Sequence, residues 1–156
     1  MIYRCLLLFL LILFSSISYS QKESKSIFPL SQNGEREIFK VVEQMPRFPG
    51  CEQKSDEYSK KNCSEIVLEK FIKDNLIYPE EAKAQKIEGE VYVQFIIGKD
   101  GLVDDIKVVK DIGYGCGEAA VAVIEKMNTM SERWIPGRQR GNLVEVLYTR
   151  PIKFKL

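Results

Sequence analysis

Apolar positions along this chain change period several times, and each change marks an element. The last stretch has the clearest pattern. Val144, Val146, Tyr148, Ile152, Phe154 and Leu156 alternate with Leu143, Glu145, Leu147, Thr149, Pro151, Lys153 and Lys155. Only Arg150 interrupts the apolar row. A period of two marks a half-buried strand, and this one exceeds the usual length of about five or six residues. Pro151 lacks an N–H and is tolerated mainly on an edge. Lys153 and Lys155 are the kind of charge that blunts an edge. The pattern predicts a long edge strand.

Two shorter strands precede it. Glu90–Ile97 places Val91, Val93, Phe95 and Ile97 on one face. Asp100-Gly101 is a strong hairpin signal, and Val103–Val109 returns with Ile106 and Val108 inward and Asp105 and Lys107 outward. Helical spacing appears in three places. Asn62 and Glu65 form a capping-box variant, followed by Leu68, Phe71, Ile72 and Leu76 on one face. Pro79 opens a short piece, Glu80–Lys86, with acids in its first turn and Gly89 as its stop. Glu118–Met130 lays Ala120, Val123, Ile124 and Met127 in one stripe. Upstream, residues 21–40 read as a flexible lead-in. Val41-Val42 begins a short extended stretch that Pro46 and Pro49 end, and Glu52–Asn62 reads as a charged loop. The expected fold is α+β: an antiparallel sheet of about three strands with helices packed on one face.

The start of the chain bears on its compartment. Arg4, the apolar run Leu6–Phe14, and Ser18-Tyr19-Ser20 have the layout of a secretory signal peptide over residues 1–20, cleaved before Gln21. The alternative is an uncleaved helix anchoring the chain in the inner membrane. Cys5 precedes the apolar run, which excludes a lipoprotein. Removing Arg4 from the 23 Lys and Arg residues balances them against the 22 Asp and Glu residues. No overall field points to nucleic acid. Over residues 131–156, however, basic residues outnumber acids six to two. That excess usually marks a solvated face, although it would also suit an acidic partner segment.

The absence of histidine removes the commonest general base and metal ligand. Cys116 lies between glycines with no histidine to activate it. Asp104 and Asp105 are adjacent on a strand, so they should point to opposite faces. No catalytic residue, metal set or cofactor is expected. Cys51, Cys63 and Cys116 allow three single bridges in an exported protein. Cys51–Cys63 is favoured, because the two lie close in sequence and flank a polar segment. Such a bridge contributes about 3 kcal/mol in the chain-entropy model, and it leaves Cys116 as a buried free thiol.

From Tyr78 onward the chain resembles the TonB C-terminal domain. The resemblance rests on the run from Tyr78-Pro79 through Ala82-Lys83-Ala84 to Glu88-Gly89-Glu90-Val91, on Asp100-Gly101-Leu102-Val103, and on Arg133-Trp134-Ile135-Pro136-Gly137. It covers residues 77–156, preceded by an extension over 41–76 in which Met45-Pro46-Arg47-Phe48-Pro49-Gly50 is similar to a lead-in found among relatives. The resemblance implies a periplasmic module in TonB-dependent transmembrane transport. Such a module takes an extended segment of an outer-membrane receptor, or of another envelope protein, as an added strand. It implies partner contacts at Val144, Glu145, Val146, Leu147, Tyr148, Thr149 and Arg150, with Tyr78 and Pro79 nearby. A homodimer through the same edge is the bland alternative, and a structural or adaptor role without energy transduction is the alternative function. Trp134 reads as core rather than contact.

Overall fold

The computed structural model describes residues 36–156. The expected signal peptide lies outside these residues. The elements are β1 (Ile38–Phe39), α1 (Glu57–Asn75), α2 (Glu80–Ala84), β2 (Gly89–Ile97), β3 (Val103–Lys110), α3 (Cys116–Glu125) with a 3-10 turn (Lys126–Thr129), β4 (Gly137–Gln139) and β5 (Asn142–Phe154).

The fold is α+β, but the sheet has five strands rather than three and is mixed rather than antiparallel. Its order is β1-β5-β2-β3, with β4 paired to β5 off this path. β2 lies antiparallel to both β3 and β5, whereas β1 runs parallel to β5. The two extra strands are only two and three residues long, too short to show a period in the sequence. β1 also corrects the lead-in: Ile38 and Phe39 are paired, two residues before the extended stretch expected at Val41.

β2 is the centre of the core. Val91, Val93, Phe95 and Ile97 are each fully buried. They share one sheet face with Ile152 and Phe154 of β5 and take the apolar stripes of α1 and α3. Ala120, Val123, Ile124 and Met127 are buried as the stripe predicts. α3 does not stay α-helical to Met130, because its last turn tightens to 3-10 at Lys126. Leu68 and Ile72 anchor α1. That helix starts earlier than Asn62. Asp56 caps it by accepting from the Ser59 N–H at 2.9 Å, so much of the expected charged loop is helix. The same hydrogen bond lowers the Asp56 pKa.

The β2–β3 turn shows why a glycine stands at position 101. Its φ is +77°, and a Cβ there would lie 2.2 Å from the Trp134 carbonyl oxygen. The Gly101 carbonyl in turn accepts from the Trp134 N–H at 3.2 Å. Trp134 is buried and packs edge-on against Phe48, Phe95 and Tyr148. Along β3 the ladder shifts between Gln94 and Ile96 of its partner. Asp105 has φ +48° there, a bulge that breaks the expected strict alternation at Asp104-Asp105.

Candidate functional site

β5 has two kinds of neighbour along its length. On one side, Val146 through Phe154 pair with β2 in unbroken register. Near its start, Leu143 and Val144 pair with β4, and Glu145 and Val146 pair with Ile38 and Phe39 of β1. Beyond Val146, no strand among the described residues pairs with the side of β5 opposite β2. The expected edge is therefore confined to the second part of the strand. Val144, Glu145 and Val146 already have partners, which corrects the reading of the whole strand as an edge. Leu147, Tyr148, Thr149 and Arg150 keep one side of their backbone free.

A groove of about 950 Å³ lies beside these residues. Leu147, Tyr148 and Thr149 form one wall, Gln44–Arg47 another, and the first turns of α1 a third. Backbone bonds hold the Gln44–Arg47 wall. Gln44 and Arg138 exchange N–H donations to each other's carbonyls at 3.1 and 2.9 Å, and Arg47 and Ile135 do so at 3.0 and 2.9 Å. The Cys51–Cys63 disulfide ties the end of this segment to α1. Arg47 adds ion pairs to Glu52 and Glu57. Cys116 is a buried free thiol, and burial raises its pKa, which leaves it a poor nucleophile.

Tyr148 and Arg150 point toward α1. The Tyr148 hydroxyl donates to Glu65 at 2.9 Å, while the Arg150 guanidinium reaches Glu65 and Glu69, each at 2.6 Å. Burial, then the Glu65 charge, pushes the Tyr148 phenol well above its ordinary range, so it stays protonated. Glu69 was not singled out from the sequence, and Glu65 entered there only as half of a capping-box variant with Asn62. The signal was Arg150 itself. A guanidinium inside an apolar row needs carboxylates, and Glu65 and Glu69 are one helical turn apart.

Tyr78 sits at the other end of β5. Its ring packs edge-on to Phe154 at 5.4 Å, and its hydroxyl donates to the Ile87 carbonyl. Leu147 and Phe154 are separated by roughly 23 Å of strand at the ordinary rise per residue. Tyr78 therefore borders the far end of the edge rather than Val144–Arg150, and Pro79 lies close to Gly115.

The first part of β5 is closed by a strap. Arg36 ion-pairs with Asp104 of β3 and with Glu145 of β5, each at 2.8 Å. Its guanidinium thus spans the sheet beside Ile96, whose cross-strand neighbours are Asp104 and Leu147. The Arg36 contact lowers the Asp104 pKa. Phe39 and Met45 pack with Val42, Val144 and Val146 in a small second cluster. No helix among the described residues is long and apolar enough to cross a membrane, and no group of acidic, Cys or His side chains there could hold a metal.

Residues 74–156 match the family model for the Gram-negative bacterial TonB protein C-terminal region. Among solved structures, the chain is similar to a TonB C-terminal domain from Helicobacter pylori. The identity is 29%, covering 65% of this chain and 96% of that one, with a TM-score of 0.47. It is also similar to the Pseudomonas aeruginosa TonB C-terminal domain at 31% identity, covering 51% of this chain and 77% of that one, with a TM-score of 0.39. No curated protein matches. The family match spans more than half of the chain and includes β2, β3, α3 and the half-paired β5, so the chain belongs to the TonB C-terminal domain family.

Proposed function

We propose that this protein is a non-enzymatic binding module of the periplasm. In this reading it acts in TonB-dependent transmembrane transport by adding an extended segment of an outer-membrane receptor to β5. The observation that carries the reading is the free side of Leu147–Arg150 beside an open groove. Strand addition draws its affinity from main-chain N–H and C=O groups and its selectivity from alternate side chains. Here the backbone of β5 supplies the first, while Gln44–Arg47 and the start of α1 supply surfaces for the second. Tyr148 and Arg150, held by Glu65 and Glu69, fix the strand before any partner arrives, which lowers the ordering cost of binding.

The test is a Leu147→Pro variant of the full chain, used only once circular dichroism shows a native spectrum. Proline removes a donor and disrupts strand register. The parent should retain receptor segments from envelope extract, and the variant should lose most of that retention. Equal retention by a folded variant would place the site elsewhere. Sedimentation at low and high concentration separates a self-paired edge, since a homodimer through β5 gives a concentration-dependent mass that a partner peptide dissolves.

A further inference from the structure

We infer that the far end of the β5 edge selects for negative charge. A docking segment would carry a carboxylate-rich end that lies against Lys73, Lys153 and Lys155. This inference rests on the strand-addition reading and adds the chemistry of the partner to it. The two stretches of the edge differ in charge. Beside Leu147–Thr149 the groove is lined by both signs, with Lys40, Arg47 and Lys61 set among Glu43, Glu57 and Glu65. Further along, a second groove of about 380 Å³ has an apolar floor that includes Ile72, Leu76 and Pro151, and its rim holds those three lysines against one carboxylate, Glu69.

The nearby carboxylates are already engaged. Glu69 accepts from Arg150 at 2.6 Å, and Glu88 accepts from the Leu156 N–H at 2.7 Å. Glu90 stands across from Lys153 in the ladder, yet it accepts from the Tyr92 hydroxyl at 3.0 Å. Among the described residues, none of the three lysines makes an ion pair. Lysines on a strand can serve simply to discourage edge-to-edge association. That role does not account for Lys73, which comes from α1, nor for the apolar floor between it and the strand. Three unneutralised ammonium groups around an apolar groove at the end of a free edge suit an extended segment with an acidic end.

The experiment uses the full chain and three synthetic peptides of roughly twelve residues, long enough to span Leu147–Phe154. One alternates Thr and Val, one adds Asp-Glu at its N-terminal end, and one adds Asp-Glu at its C-terminal end. Affinities are measured by calorimetry at low and high salt. At least one acidic-ended peptide should bind about tenfold tighter than the neutral one at low salt. Most of that gain should vanish at high salt and in the Lys73→Gln/Lys153→Gln/Lys155→Gln variant. It should survive in a charge-matched Lys99→Gln/Lys107→Gln/Lys126→Gln variant. The favoured end reports the direction of the added strand. Equal binding of all three peptides overturns the charge preference while leaving strand addition standing. So does a gain that persists in the first variant or is lost equally in the second. Absence of binding by every peptide would count against strand addition itself.

Discussion

The two parts of β5 belong to one strand, share one alternation and differ in their neighbours. Asn142–Val146 is flanked by β4 and β1 and covered by Phe39, Val42 and Met45. Among the described residues, Leu147–Phe154 has β2 alone as its strand partner. Yet the second part is also held on its inner face: Ile152 and Phe154 sit in the main core, and the half-buried Tyr148 packs against Phe95 and Trp134. Side-chain burial therefore fixes this strand without needing both backbone sides. The free side remains available because the inner face already holds the strand in place.

Changes that attack the inner face should have the largest effect. Trp134→Ala removes a buried indole from beneath Tyr148 and Phe95 and should cost about 3–5 kcal/mol, read as a lower denaturant midpoint. Next comes the groove wall. Replacing Cys51 and Cys63 with alanine should cost about 3 kcal/mol by the loop-entropy argument. Amide exchange should then accelerate at Arg47 and Ile135 before it does so in β2. Arg150→Met acts on the second part of β5 alone. Because Glu65 and Glu69 are partly exposed, the loss should be only about 1 kcal/mol. The Tyr148 phenol should remain above its ordinary range, since burial is the main cause of its shift.

The smallest effect belongs to the strap on the first part. Arg36→Ala should leave the denaturant midpoint nearly unchanged but speed exchange at Phe39 and Val146. Acid should do the same in the parent. The folded pKa of Asp104 lies below its unfolded value of about 3.9. Its ion pair therefore contributes fully above that value and is lost as pH falls through the folded pKa. Strap exchange that is indifferent to both changes would mean that the side-chain cluster alone holds β1.

Much of this was legible in the sequence because burial is periodic. The alternation from Val91 to Ile97 and from Val144 to Phe154, and the stripe of α3, each report a face turned to the core. Asp100-Gly101 reported a turn, and the two close cysteines reported their bridge. Periodicity records which way side chains point, not how many backbone neighbours a strand has. For that reason β1 and β4 were invisible, and Val144–Val146 looked as free as Leu147–Arg150. The start of α1 was missed because its first two turns carry a polar run, and the cap at Asp56 outweighed the competing signal at Asn62. Arg36 gave no sign of its role, since a surface arginine's partners are set by tertiary approach.

Residue-by-residue amide hydrogen exchange along β5 of the partner-free full chain tests the central claim most directly. In an antiparallel ladder with one neighbour, N–H groups point alternately toward and away from the partner. From Leu147 to Phe154, omitting Pro151, protection should therefore alternate, with every second amide exchanging fast. Val146, paired with β2 on one side and β1 on the other, should be slow. Uniform protection through Leu147–Phe154 in a monomeric sample would contradict the account, because it would mean that the edge is already occupied.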